Sequence, residues 1–135
     1  MKTRSELRDI IIKSLYQVYI YTKEEIPFDI NAIVKEEMET SDEFVLNSIN
    51  GVLNNQEDIS LKANKYLKNW NIERLSKVDK AIISLGIYEL IYTDTPNIVC
   101  INEAVELAKS YSDENVIKMI NACLDQVYHN EAKDE

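Results

Sequence analysis

The chain has 135 residues, which is enough for one domain of the usual ~100 to 200 residues and too few for two. Hydrophobic residues supply 45% of it, whereas two glycines and two prolines are too few for a sandwich, a barrel or a glycine-cradled nucleotide site, so the composition predicts an all-α fold. The net charge of −9 opposes nucleic-acid binding over the whole surface and confines any such site to one region.

The charge is unevenly distributed. Residues 1–22 carry a net charge of +2, so the remaining residues carry −11, and the amino terminus is the one basic end of the chain. The first twenty residues lack a secretory pattern, and no stretch approaches the ~18 apolar residues of a membrane span. The sequence therefore predicts a cytoplasmic protein that does not enter a membrane.

The first half of the chain predicts three helices. Thr3 and Glu6 form a capping box, after which apolar residues recur at helical spacing to Tyr19. Pro27 suits the start of a second helix over residues 30–34. Caps at residues 40–43 predict a third helix that ends at the Asn54-Asn55 pair.

The second half predicts four more helices. Residues 59–70 show an apolar stripe that includes Trp70, and residues 75–91 form the most apolar helix, which should be central. Gly86 lies inside it at a cost of about 1 kcal/mol, which indicates that another helix backbone passes close by. A turn at 93–96 precedes helices over 98–108 and 116–124, in which Asn102 and Asn121 are predicted to be buried hydrogen-bonding residues.

Groups capable of catalysis are scarce. Cys100 and Cys123 are isolated at apolar positions and are predicted to be buried, reduced thiols. The single histidine, His129, stands in a polar tail, which argues against a metal site or a nucleophile–histidine arrangement. The sequence thus predicts a protein that is not an enzyme and has no catalytic residues, cofactor or metal.

Several motifs in the carboxy-terminal half closely resemble the NusB family of bacterial transcription antitermination factors. The run at residues 101–109, INEAVELAK, is the most specific of them. The resemblance reaches back to Arg8 and to Leu15-Tyr16, but it is absent between residues 20 and 73. Its other elements are residues 73–75, 78–82, 85–90, Pro96, 120–121 and 124–125.

This resemblance implies about seven helices in two packed bundles, as a single NusB-like domain over residues 1–128 followed by a frayed polar tail at 129–135. It further implies a factor that binds boxA-type single-stranded RNA together with the ribosomal protein NusE. The complex then associates with the RNA polymerase elongation complex and suppresses premature termination. Whether the protein is a monomer or a homodimer that covers its basic face stays open.

Candidate binding residues follow from the resemblance and from charge. Arg4 and Arg8 match arginines of the family's RNA-binding segment, and they share one flank of the first helix because they lie four residues apart. Cations can hold RNA phosphates while bases stack and make polar contacts. The predicted RNA-binding set is Lys2, Arg4, Arg8, Lys13 and Lys118, the last if the final helix lies alongside the first. Met119 stands where the family commonly has an aromatic residue, and Ala122 replaces its glycine.

Tyr16 and Asp79 match family residues that contact NusE, a basic protein to which a carboxylate is complementary. For Asp79 the alternative is stabilisation of a helix amino terminus, and for Tyr16 it is a half-buried position in the core.

Two other functions stay open. The first is a NusB-like protein-interaction module that has lost specific RNA binding, which the thinned arginines favour. The second is the NusB-like accessory domain found fused to ribosomal RNA methyltransferases.

Overall fold

The computed structural model describes residues 1–132, and these form seven α-helices and no strand. The helices are α1 (Arg4–Lys23), α2 (Ile30–Lys35), α3 (Glu43–Asn54), α4 (Gln56–Tyr66), α5 (Lys77–Tyr92), α6 (Asn97–Tyr111) and α7 (Glu114–Val127), with a 3-10 turn at Ile72–Arg74 and a π-helical turn at Tyr128–Ala132. The predicted all-α fold is confirmed. No helix of the described part is long and apolar enough to cross a membrane.

Side-chain caps set where the helices begin. The predicted capping box is confirmed, since Thr3 Oγ1 accepts from the Glu6 amide at 3.1 Å and Glu6 Oε1 accepts from the Thr3 amide at 2.8 Å. Asp42 caps α3 by accepting from the Val45 amide at 3.0 Å. Ser76 caps α5 in the same way.

Helix α5 is the centre of the molecule, as predicted. It packs against α1 and α3 of the amino-terminal bundle and against α4, α6 and α7 of the carboxy-terminal one. The neighbour of Gly86 is a side chain rather than a helix backbone, because a Cβ there would lie 2.9 Å from Cδ1 of Leu124 on α7. Gly51 also lies in a close contact, because the Tyr88 ring occupies the space where a Cβ of Gly51 would stand. The apolar periodicity of the sequence does not predict this contact.

Four sequence predictions about burial have different outcomes. Both cysteines are free and buried, which confirms the prediction, and burial raises the pKa of each thiol to about 12. Asn102 and Asn121 are exposed, so their predicted burial is wrong. Each lies on the outer side of an amphipathic helix, where an asparagine is solvated.

The predicted tail begins with one ordered turn. Residues 129–132 belong to the π-helical turn, and Glu131 accepts from Lys65 Nζ at 2.7 Å and from the Tyr66 hydroxyl at 2.6 Å. These bonds fix the turn to α4, so this part is not frayed. Residues 133–135 lie outside the described residues.

Candidate nucleic-acid and partner interface

An open cleft of about 790 Å³ lies where the starts of α1, α3 and α6 meet the end of α5. Its main feature is the guanidinium of Arg4, which stacks 3.9 Å from the centroid of the Phe44 ring. Asn47 and Thr95 add amide and hydroxyl groups to the lining. An exposed cation over an aromatic face, with hydrogen-bonding groups nearby, suits a phosphate and an unpaired base.

Arg8 contacts the same aromatic ring but is buried beneath it. Its guanidinium lies 5.5 Å from the Phe44 centroid, so Arg4 and Arg8 do share a flank of α1. Its Nε donates to Glu89 at 3.0 and 3.1 Å, and one terminal nitrogen lies 3.6 Å from Glu103. Only 5% of Arg8 is exposed. Two carboxylates thus occupy Arg8, and it stabilises the cleft rather than meeting RNA phosphates directly.

The carboxylate opposite Arg8 is unusual in its burial. Glu89 is 2% exposed, and burial raises the pKa of this carboxyl while the Arg8 charge opposes that rise. The pair joins α1 to α5, and Glu103 extends it to α6. A Glu–Arg–Glu cluster of this kind fixes the relative position of three helices. No local pattern predicts this cluster, because its members lie 81 and 14 residues apart in the chain.

Lys2, which precedes α1, and Lys13 on α1 line a different surface from Arg4. Both border a groove that also holds five carboxylates, so its balance of charge is negative; the carboxylates are Glu6, Asp9, Glu37, Glu103 and Glu106. Lys13 Nζ contacts Asp9 at 3.0 Å, and this hydrogen bond raises the pKa of the lysine. This groove adjoins the Arg4 cleft at Ser5 and Glu103, but neither lysine lines that cleft.

Lys118 lies apart from the other four cations. Lys118 is predicted to join the RNA-binding residues of α1 only if α7 lies alongside α1. Helix α7 instead packs on α4, α5 and α6, so Lys118 does not lie beside Arg4. The side chain is 74% exposed and lies 3.9 Å from Glu114.

A second groove contains Tyr16, one of the two residues predicted to contact a protein partner, whereas Asp79, the other, is not among its lining residues. Tyr16 of α1 lines it together with Val78 of α5 and Tyr111 of α6. Tyr16 is 39% exposed, so part of its ring is accessible to a partner while the rest packs against the protein. Tyr111 donates to Asp9 at 2.5 Å, which connects this apolar groove to the acidic one beside it. Tyr111 carried no signal in the sequence.

Asp79 stands at the amino terminus of α5, next to Val78. Its backbone amide donates to the capping hydroxyl of Ser76 at 3.1 Å, and its carboxylate accepts from the hydroxyl of Ser112. Ser112 ends α6, so Asp79 ties the start of one helix to the end of another. Only 8% of Asp79 is exposed and its carboxylate makes this internal bond, which agrees with the alternative of a stabilising role at the start of α5.

Within residues 1–132 no cluster of three or more histidine, cysteine, aspartate or glutamate side chains has the geometry of a metal site. The described residues offer contact surfaces, namely a cleft in which Arg4 stacks on Phe44 and an apolar groove with an acidic groove beside it. Such surfaces define an all-helical binding protein.

Comparison with known proteins identifies its family. The sequence profile of the NusB family matches residues 5–129, and the chain belongs to this family. It is 36% identical over 130 residues to the transcription antitermination protein NusB of Macrococcus caseolyticus, covering 96% of this chain and 99% of that protein. It is 40% identical over 126 residues to the protein of the same name from Acetivibrio thermocellus, covering 92% and 87% of the two chains.

Solved structures give the same result. A structure of T. maritima NusB superposes with a TM-score of 0.84 at 34% identity, over 98% of this chain and 96% of that one. A crystal structure of antitermination factors NusB and NusE in complex with double-stranded RNA has a TM-score of 0.78, over 93% of this chain and 96% of that one. The identity there is 23%, so this likeness shows a shared fold alone.

Proposed function

We propose that this chain is a transcription antitermination factor that binds boxA-like single-stranded RNA together with the ribosomal protein NusE and joins the RNA polymerase elongation complex. It acts in the cytoplasm and catalyses no reaction. Membership of the NusB family supports this function. The observation that best supports the proposed function is that Tyr16 and Val78 line the same apolar groove although their positions in the sequence differ by 62. Val78 is the neighbour of Asp79 in the chain.

The groove fits a basic protein partner. Tyr16 and Tyr111 offer exposed aromatic area, which is typical of the residues that dominate protein interfaces. The adjacent groove adds five carboxylates against two lysines. Charge complementarity with a basic ribosomal protein raises the rate of association and fixes the orientation of the complex.

The RNA surface is small, and this determines how binding must work. Arg8 is buried and Lys2 and Lys13 lie among carboxylates, so Arg4 is the principal cation of the cleft. A net charge of −9 also repels RNA at long range. Tight binding therefore requires a basic partner that extends the contact surface. We expect NusE to increase the affinity for boxA-like RNA at least tenfold, about 1.4 kcal/mol of coupling.

The same observations favour one alternative, a protein-interaction module that has lost specific RNA binding. A gel-shift titration separates the two functions, with a boxA-like RNA and a scrambled RNA, each with and without NusE. The proposed function predicts a shift of the boxA-like RNA that strengthens when NusE is present. If NusE binds the chain while neither RNA shifts, the alternative is correct.

A further inference from the structure

Trp70 departs from the apolar pattern that the sequence suggested. Ile59, Ala63 and Leu67 of the predicted stripe are buried, but Trp70 is 45% exposed. The reason is local, because α4 ends at Tyr66 and the chain leaves the helical period before it reaches Trp70. Nearly half of the Trp70 surface is therefore accessible, and a tryptophan can offer both an aromatic face and a ring N–H to a ligand.

The turn that carries Trp70 is tightly held. The Trp70 amide donates to the Leu67 carbonyl at 3.0 Å, and Asn69 takes a left-handed conformation with φ of 63°. On the far side, Asn64 Oδ1 accepts from the Ile72 amide at 2.9 Å. These bonds fix the main chain at Trp70, so the backbone that carries the indole needs little further ordering when a ligand stacks on the ring.

Trp70 forms one wall of a groove against α7. The opposite wall comes from Met119, Ala122 and Gln126, and Lys68 lies on the Trp70 side. Lys118 precedes Ala122 by one helical turn and so lies on the same stripe of α7. Lys68 makes no ion pair within residues 1–132, and the Lys118 pair at 3.9 Å is loose and exposed.

We infer that this groove binds an unpaired base of single-stranded RNA, which stacks on the Trp70 indole while Lys68 and Lys118 contact the flanking phosphates. An aromatic face flanked by cations is the arrangement by which proteins hold single-stranded nucleic acid. Gln126 and Asp125, at the end of the groove, supply amide and carboxylate groups for the base edge. The inference rests on the proposed function and gives Lys118 a place in RNA binding that is separate from the Arg4 cleft.

The chain itself supplies the probe, because Trp70 is its single tryptophan. A boxA-like RNA of about 12 nucleotides is titrated into the wild-type protein at low salt, where phosphate contacts are strongest. Stacking predicts quenching of the tryptophan emission with the same midpoint as the anisotropy change of labelled RNA. Trp70→Leu should weaken RNA binding roughly 5- to 150-fold, whereas Trp70→Phe should stay near wild type.

Lysine variants test the flanking phosphates. Lys68→Glu should weaken RNA binding, while Lys35→Glu is the matched control, since it makes the same charge change at an exposed site on α2. Circular dichroism of each variant verifies the fold.

The outcomes separate this inference from the proposed function. RNA binding without quenching, and with unchanged affinity in Trp70→Leu, overturns the groove assignment and leaves the proposed function intact. Absence of RNA binding, even with NusE present, overturns both. A change of emission with NusE alone, together with weaker NusE binding by Trp70→Leu, shows that the groove holds protein and overturns the inference.

Discussion

Replacement of Arg8 by methionine should destabilise the protein strongly, because it leaves Glu89 buried without a counter-charge. Both side chains of the pair are almost fully buried, at 6% and 3% exposure, and their contact is 3.0 Å. Breaking a buried ion pair from one side costs about 3 to 5 kcal/mol. Glu103 is 24% exposed, so water can solvate it when the arginine is gone.

This loss converts into a measurable shift of the melting temperature. A chain of 135 residues has an unfolding entropy of about 0.28 kcal/mol/K near 60 °C. The expected decrease in Tm for Arg8→Met is therefore roughly 10 to 18 °C at neutral pH. A second variant, Arg8→Met with Glu89→Gln, removes both charges and should recover most of the loss.

The loss should also depend on pH. The folded-state pKa of Glu89 is raised by burial, and removal of Arg8 raises it further. A carboxyl whose pKa is higher in the folded state than in the unfolded state carries no stability penalty while it is protonated, below the unfolded pKa of about 4.3. The free energy of unfolding then decreases as the pH rises through the folded-state pKa and the buried carboxyl ionises. The difference between wild type and Arg8→Met should thus be largest near pH 7 and shrink toward about pH 4.5.

Urea unfolding followed by far-ultraviolet circular dichroism, at about pH 7 and about pH 5, measures both quantities. A loss below about 1 kcal/mol, or the same loss at both pH values, would refute the buried-pair account. The same reasoning makes Arg8→Glu a poor probe of RNA binding, because a third carboxylate in this cluster would unfold the protein.

Three other variants test separate parts of the account. Arg4→Gln should weaken RNA binding and lower the salt slope of the binding constant by about 0.7 while leaving Tm unchanged; equal slopes for variant and wild type would remove Arg4 from the interface. Tyr16→Ala should weaken NusE binding about tenfold or more in calorimetry. The control is Tyr92→Ala, because Tyr92 is 40% exposed and Tyr16 is 39% exposed, and this variant should bind NusE as the wild type does. Equal effects of the two substitutions would rule out the Tyr16 groove. Gly86→Leu should lower the free energy of unfolding by about 1 to 3 kcal/mol or more, because its side chain meets Leu124 at the crossing of α5 and α7; an unchanged midpoint would contradict close packing there.

Local signals in the sequence were sufficient for the helices. The capping box at Thr3, the Asn54-Asn55 ending and the apolar period of α5 each depend on residues within one or two turns, and the structure bears them out. Trp70 departs from the predicted stripe because the helical period ends with α4 at Tyr66. Asn102 and Asn121 were misplaced because a polar residue between apolar ones is compatible with either side of a narrow apolar stripe.

The candidate sites depend on contacts that the sequence does not encode locally. Arg8 looked like a surface cation, and only the packing of α1 on α5 and α6 shows that Glu89 and Glu103 surround it. The positions of Phe44 under Arg4 and of Tyr111 beside Tyr16 likewise follow from how the helices pack. By contrast, Tyr16 and Asp79 were assigned through a family resemblance, and that assignment remains a prediction about binding.

Transcription in vitro through a Rho-dependent terminator tests antitermination most directly. The template carries a boxA-like leader or a scrambled one, and the reaction contains RNA polymerase, Rho and NusE, with the wild-type chain or with Tyr16→Ala. The proposed function predicts more read-through with the wild-type chain on the boxA-like template, and neither the scrambled leader nor the variant should reproduce the increase. Equal termination on both templates with and without the chain would contradict it.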